Sequence, residues 1–417
     1  MKTTIITSGE PHYQLGLLSG LAQQPLLLDV IGDDSLRSAP VLSQPRITFR
    51  QLRSALDSKS PKWVRLAQVI SYYIKLICYA ITTDSRLFHI QWPYKFVVFD
   101  RTLLNIIFKA LGKKLVFTAH NVDQQARDGG SSWTQRASLK FMYRVVDHII
   151  VHTSRMKKEL ATGFGVAESK ISVIPHGINT AVTETTLTKE EARAALQLKD
   201  GERVILFFGL IDRYKGLEYL VDALARLKKE QGAFRLVVAG RIKDCEDYWA
   251  DICAQITRNG LQNDIVTNLT RIPDERVEVY FKAADVLVMP YRSIFQSGVL
   301  FLAYRFGLPV IATDVGSLRE DVIEGRTGFI CRPQDPEDLA KTIAAYFESD
   351  MFKELEARRP AIRDYALDKY SWSKIGSMTY RVYEDLVGDQ KRRQADKVEA
   401  LSANSSKIRK RSTLNPR

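Results

Sequence analysis

Strand-sized apolar runs and helix-period stretches alternate along almost the whole of this chain. Residues 2–7, 26–32, 87–92, 115–119, 148–152 and 171–174 are short runs rich in Val, Ile, Leu and Phe, and predict strands buried on both faces. Between them, 66–81, 99–112, 139–146 and 155–160 predict helices, while 33–62 are polar with weak periodicity and predict no element. The rhythm breaks at 178–200, where Thr188 followed by Glu191 has the spacing of a capping box. It then restarts, with strands at 204–208, 234–239, 265–269, 286–289, 310–313 and 327–331. Helices are predicted at 217–231, 248–258, 273–283, 298–306, 336–347, 352–365 and 372–386. Strands alternating with helices predict a parallel sheet covered on both faces, and a pattern that stops and restarts predicts two of them. The fold class is therefore α/β: two doubly wound, Rossmann-like domains with a crevice between the carboxyl ends of their strands. The expected boundaries are a first domain at 1–180, a connection at 181–200 and a second domain at 201–388, whose last helix can return to the first. A tail at 389–417 is basic and too poor in apolar residues to fold alone.

Charge changes this picture, because it is uneven. The net charge is +13, with 24 Lys and Arg against 14 Asp and Glu in 1–190, 28 against 31 in 191–388, and 9 against 3 in the tail. A basic first half beside a near-neutral second half predicts an anionic partner for the first half. No nucleic-acid motif accompanies the charge, so an anionic membrane surface is expected and nucleic acid is not. The expected contact is the group Arg46, Arg50, Arg53, Lys59, Lys62, Arg65 and Lys75, around the apolar helix at 66–81. That helix carries Gln68, Ser71 and Lys75 and is too short and polar to span a bilayer. The sequence favours a helix buried in its domain, with an interfacial helix as the sharper alternative. The first residues hold too short an apolar run for a secretion signal. Cys78, Cys245, Cys253 and Cys331 are far apart, which predicts neither a disulfide framework nor a zinc site and suits a cytoplasmic compartment. No Asp-x-Asp stands at a strand end, so no metal and no cofactor is expected.

Two stretches carry candidate chemistry. Between the strands at 286–289 and 310–313, Ser297-Gly298 opens a helix, and the free amides of Ser297, Gly298 and Val299 would form an anion site suited to phosphate. Between the strand at 204–208 and the helix at 217–231, Gly209 and Gly216 bracket a loop with Arg213 and Lys215. Two cations there would neutralise a diphosphate. In the first half, His120 follows a strand and precedes Asn121 and a glycine-bearing loop, where sites of α/β sheets collect. His176, in Pro-His-Gly, is expected to serve a turn near the cleft.

The stretches FFGLIDRYKGLEYLVDAL (207–224), LVVAG (236–240), RIPDERVEVYFKAADVLVMPY (271–291) and GLPVIATDVGSLREDVIEGRTGFICRPQDPEDLA (307–340) resemble the retaining GT-B glycosyltransferases of family 4. The first half is similar more loosely, through TAHNV (118–122), DHIIVHTSRMKKEL (147–160) and SVIPHGINT (172–180). The resemblance implies a GT-B fold and transfer of a sugar from a nucleotide-diphosphate donor to a glycan or lipid-linked acceptor, in polysaccharide or glycolipid biosynthesis. It implies that Lys215 holds the donor diphosphate. Leu210 stands where the family has an arginine, and Arg213 is the nearby substitute. Arg271 and Ile272 would meet the nucleotide base, Ser297, Gly298 and Val299 the phosphates, and Gln296 the sugar. Gly9, in the exit loop of the first strand, joins the donor-binding set, and His120 lies near the transferring sugar. His120, Arg213 and Lys215 form the implied catalytic set. The family's two glutamates fall at Ile294 and Leu302, so both acids are missing here. Two alternatives remain open. One is a GT-B nucleotide-sugar epimerase, which would draw its proton-transfer carboxylates from Glu10, Asp123 and Glu320. The other is a catalytically weak homologue that binds nucleotide or glycan.

Overall fold

The computed structural model describes residues 1–388 apart from 54–59, 123–132, 179–181, 183, 200, 232–233, 244 and 295. The tail, Lys59 and Asp123 lie outside the described residues. Two parallel sheets form the frame. The first comprises β1 (Lys2–Ile6), β2 (Leu27–Ile31), β3 (Ile47–Phe49), β4 (Leu87–Ile90), β5 (Lys114–Thr118), β6 (His148–Val151) and β7 (Ile171–Val173), in the order β3-β2-β1-β4-β5-β6-β7. The second comprises β8 (Arg203–Phe208), β9 (Phe234–Ala239), β10 (Ile265–Asn268), β11 (Val286–Met289), β12 (Val310–Thr313) and β13 (Gly328–Cys331), in the order β10-β9-β8-β11-β12-β13. Every strand pairing is parallel. Strands such as RVILFF and VLVM are apolar on both faces because helices cover both, and a separate buried cluster lies on each side of each sheet.

In each sheet the chain reverses direction once, between β1 and β4 and between β8 and β11. The carboxyl ends of these strand pairs form a crevice in which a ligand can meet the backbone. Gly9 and Trp92 follow the first pair, and Gly209 and Pro290 the second.

The chain then returns to its start. Residues 372–388 are helical and pack on the first sheet's core through Trp372, Ile375, Val382 and Tyr383. They cross helix Pro11–Ala22 at backbone distance: a Cβ on Gly20 would stand 1.9 Å from the Trp372 carbonyl oxygen, and one on Gly376 would stand 2.2 Å from Gly20 C. Only glycine permits that approach. The capping box is formed at helix Lys189–Ala195, whose Arg193 and Lys189 both pair with buried Asp285 of the second domain.

Several elements differ from the sequence pattern. Residues 33–62 do contain a strand, β3, and two 3-10 turns; the strand is three residues long and too short to show a period. Helix Pro11–Ala22 shows no amphipathic signal because Tyr13, Leu17, Leu18 and Leu21 are buried while Gly16 and Gly20 lie against Trp372. The helix predicted at 99–112 is two, Val97–Arg101 and Leu103–Ala110, broken where Thr102 leaves helical geometry. The one predicted at 352–365 runs Leu355–Tyr370, after a short turn Asp350–Lys353. The apolar helix is Lys62–Thr82, and it is buried along one face only, contrary to a helix sunk in its domain.

Candidate functional site

At the end of β8 the backbone turns sharply. Gly209 has φ +97°, Gly240 after β9 has φ +145°, and a Cβ on Gly240 would stand 1.9 Å from the Gly209 carbonyl oxygen. A Cβ on Gly209 would stand 2.7 Å from Lys215 Nζ and 3.5 Å from Val299 Cγ2. The Lys215 ammonium therefore sits beside the first turn of helix Gly298–Arg305. Lys215 is buried, donates to the Phe208 carbonyl at 3.1 Å and lies over the rings of Tyr291 and Phe207, at 5.3 and 5.8 Å. No carboxylate pairs with it among the described residues, and burial lowers its pKa from the usual 10.5. A buried ammonium without an anion is unfavourable by itself and attracts one strongly.

The adjacent helix start supplies the complementary donors. Ser297 occupies the N-cap position, but its hydroxyl makes no cap hydrogen bond and lies 3.5 Å from the Tyr291 hydroxyl. Among the described residues, and beyond its own chain neighbours and helix backbone, no heavy atom lies within 4 Å of where a Gly298 Cβ would be, so a ligand can reach the amides of Gly298 and Val299.

The second predicted cation is elsewhere. Arg213 is exposed, forms an ion pair with Asp247 and lies 5.2 Å over the Tyr248 ring. The two-cation clamp is therefore not assembled. Arg213 and Lys215 belong to one 3-10 turn, whose three-residue period directs residues two apart to different sides. The remaining donor-side residues ring the same edge. Arg271 is exposed and Ile272 packs half-buried on the core. Their turn is held by Asn268, whose Oδ1 accepts from Thr270 Oγ1 at 2.7 Å and whose Nδ2 donates to the Tyr280 hydroxyl at 2.6 Å. Gln296 is half-buried next to Ser297. Leu302 is buried in the core, and Ile294 lines an interdomain cavity of about 390 Å³ with Arg155, Arg292 and Asp314.

The facing edge of the first sheet is furnished with rings. Gly9 lies under Trp92, where a Cβ would come within 2.2 Å of the indole. Trp92 in turn stacks on His120, with centroids 3.8 Å apart and planes at 3°. Tyr13 stands edge-on to Trp92, His120, His152 and Trp372. The histidines settle one another's protons. His152 Nδ1 faces the Ile174 carbonyl at 3.0 Å, which only accepts, so Nδ1 carries the hydrogen. Neutral His152 then accepts at Nε2, and His120 Nδ1 donates to it at 3.0 Å. His120 Nε2 is left as a bare lone pair, buried and without a partner among the described residues. Burial keeps all of these rings neutral: His120 and His176 are lowered below the usual 6.5, and His152 falls to about 3. His89 also falls to about 3, held between Thr118 and Tyr383 at 2.7 and 2.5 Å.

The two edges touch. His176 stacks on Phe301 of helix Gly298–Arg305, with centroids 5.7 Å apart and planes at 7°. Glu320 crosses the cleft to accept the amides of Ser154 and Arg155 at 3.0 and 2.9 Å, capping helix Ser154–Phe164 from the other domain. That engages one of the three carboxylates a proton-transfer reading needs, and Glu10 is exposed at the start of helix Pro11–Ala22.

Sequence reasoning missed Tyr13, Trp92, His152 and Trp372. A signal existed for His152: His120, His152 and His176 each follow a strand of the run β5-β6-β7 within three residues. Trp372 had none, because it arrives from the far end of the chain.

Two family models match: one described as Glycosyltransferase Family 4 over residues 16–182, and one described as Glycosyl transferases group 1 over residues 202–349. An uncharacterized glycosyltransferase of Methanocaldococcus jannaschii is 30% identical over 241 residues, 57% of this chain and 59% of the relative. A D-inositol 3-phosphate glycosyltransferase of Pseudarthrobacter chlorophenolicus is 28% identical over 284 residues, 66% of each. The chain thus spans less than two thirds of these relatives' own lengths. Anabaena HepE in complex with UDP-glucose superposes with a TM-score of 0.69 at 18% identity, covering 92% of this chain and 100% of that one. Two matched halves in family order and two facing doubly wound sheets lead to one conclusion: the chain belongs to the GT-B glycosyltransferases, with a family 4 first half and a group 1 second half.

Proposed function

We propose that this protein is a retaining glycosyltransferase that moves a sugar from a nucleoside diphosphate to a glycan or lipid-linked acceptor. The observation that carries the reading is the buried Lys215 ammonium beside the open start of helix Gly298–Arg305. A diphosphate supplies the anion that Lys215 lacks and accepts from the helix amides. As the bond to the sugar breaks, charge grows on the leaving phosphate, and the same groups stabilise it in place. The complex of Anabaena HepE with UDP-glucose supports a uridine nucleotide as the first donor to try.

The sugar would extend from the second edge toward the first. His120 Nε2, fixed as an acceptor, suits a sugar or acceptor hydroxyl that needs a hydrogen-bond partner. With hydrophobic Leu302 and Ile294 at the family's acidic positions, ribose and sugar are read by backbone and by Gln296 rather than by carboxylates. Divalent metal is not required in this scheme, because Lys215 and the amides occupy its role. The basic first half suits work at the cytoplasmic face of an anionic membrane, on a polysaccharide or glycolipid intermediate.

The test is turnover across a panel of nucleotide sugars, in chelator and in magnesium, with and without a lipid acceptor. Sugar transfer or slow donor hydrolysis that survives chelator supports the reading. A folded protein that binds no nucleotide sugar in the panel contradicts it.

A further inference from the structure

Helix Lys62–Thr82 has two apolar faces, and the fold uses one. Val69, Tyr72, Tyr73, Leu76 and Ala80 are buried against the first sheet, and the Tyr79 hydroxyl donates to Asp29 Oδ2 at 2.7 Å. On the other face, Trp63, Leu66, Ile70, Ile74 and Ile81 are 73%, 49%, 46%, 58% and 61% exposed. At about 100° per residue these five fall within about 80° of one another, forming a single stripe along the helix. Further apolar side chains are exposed after β4. Phe96 stacks on Tyr73 at 5.6 Å yet is exposed, and Val98, Leu103 and Ile106 are exposed on the two short helices that follow. An apolar surface of this extent marks a contact site.

Its charge says what kind. Between Asp57 and Asp84 the sequence holds no acidic residue, and exposed Lys62 and Lys75 border the stripe. The basic group expected from the sequence is smaller than its count. Arg53 is buried against the Thr7 carbonyl and Asp33, and Arg50 faces Asp29 at 3.4 Å. Apolar area with a thin cationic border, rather than charge alone, is what this face offers. The helix is about 30 Å long, the thickness of a bilayer core, and by length and composition alone it passes for a membrane span. Its other face is sealed into the sheet, so the folded protein cannot thread it across a bilayer.

We propose that this face docks flat on an anionic lipid bilayer, with Trp63, Leu66, Ile70, Ile74 and Ile81 in the boundary between headgroups and acyl chains and the two lysines at lipid phosphates. The chain's own tail is the wrong occupant: nine Lys and Arg against three acids would be repelled by Lys62 and Lys75. The helix runs against the strands, with Thr82 near the amino ends of β1 and β4, so its Trp63 end lies at the carboxyl edge that carries Trp92 and His120. Docking there brings the cleft mouth to the membrane. The inference deepens the lipid-linked acceptor reading and rests on it for its purpose, while its test is independent of sugar transfer.

Full-length protein is sedimented with phosphatidylcholine vesicles, with and without phosphatidylglycerol, at low and high salt. The variant is Ile70→Ser with Ile74→Ser, both exposed and outside the cleft. Wild type is expected to bind the anionic vesicles and to retain part of that binding at high salt. The double variant is expected to lose about tenfold in partitioning, with UDP binding by calorimetry unchanged. Equal vesicle binding by variant and wild type overturns the proposal. So does a wild-type dimer in sedimentation analysis that the variant abolishes without change in vesicle binding, which would assign the face to a second copy. Failure of wild type to bind UDP would count against the donor reading, while the vesicle comparison would still decide this face.

Discussion

The carboxyl edge of the first sheet is filled by rings: Trp92 on His120, Tyr13 edge-on to both, and His152 and His176 behind them. The same edge of the second sheet is kept open by Gly209, Gly240 and Gly298 and carries the buried cation Lys215. All six histidines lie at or before residue 176, in the first half, and the second half has none. The contrast matches the ligands proposed for each edge. A neutral, hydrogen-bonding wall suits hydroxyl-rich sugar, whereas amides and an ammonium suit phosphate. One topology used twice therefore gives two different half-sites, and the difference lies in the few residues that follow each strand.

The largest expected effect comes from acid. The neutral histidines His89, His120, His152 and His176 of the first domain have folded pKa values below the unfolded 6.5, so the unfolded chain gains protons that the folded one refuses. Their contribution is complete above pH 6.5 and is lost as pH falls toward about 3. For His89 and His152 the loss should be roughly 2–3 kcal/mol each between pH 6.5 and 4.5. Hydrogen exchange on both halves checks this: protection in β4–β6 should fall ahead of that in β8–β12. Equal loss in the two halves would remove the contrast.

A smaller effect is expected from His152→Phe. It deletes the acceptor of His120 Nδ1, at about 1–3 kcal/mol of stability, and frees His120 to change tautomer. Turnover should drop while UDP affinity holds, since Lys215 is untouched. If UDP affinity falls in parallel, the two edges are not separate half-sites. The smallest effect belongs to Arg213→Ala. The side chain is exposed and paired with Asp247, so UDP affinity should stay within about threefold. A large loss by titration would mean that Arg213 leaves Asp247 for the phosphate when ligand binds.

The sequence made the fold legible because β8, β9, β11 and β12 are apolar runs closed by Gly or Pro or followed by a helix start. β3 and helix Pro11–Ala22 escaped it, one by brevity and the other because its buried glycines answer to Trp372, more than three hundred and fifty residues away. The second edge was legible in part: Gly209, Lys215 and Ser297-Gly298 stand within local motifs and do converge. Arg213 instead pairs with Asp247, since a motif fixes order but not the direction of a side chain. The ring wall of the first edge was mostly invisible, because Tyr13, Trp92, His120, His152 and Trp372 meet only through tertiary packing. The tautomer of His120 depends on a carbonyl at Ile174 that no motif reports.

The central claim is that the second edge, through Lys215, reads a diphosphate. Calorimetric titration of wild type and Lys215→Met with UDP and with uridine tests it most directly. Wild type should bind UDP far more tightly than uridine, and Lys215→Met should lose roughly 1.5–3 kcal/mol of that preference, about tenfold or more in affinity, while uridine binding changes little. Wild-type affinity should also fall as alkaline pH deprotonates Lys215, whose pKa lies below 10.5. A folded Lys215→Met variant that binds UDP as wild type does would contradict the account.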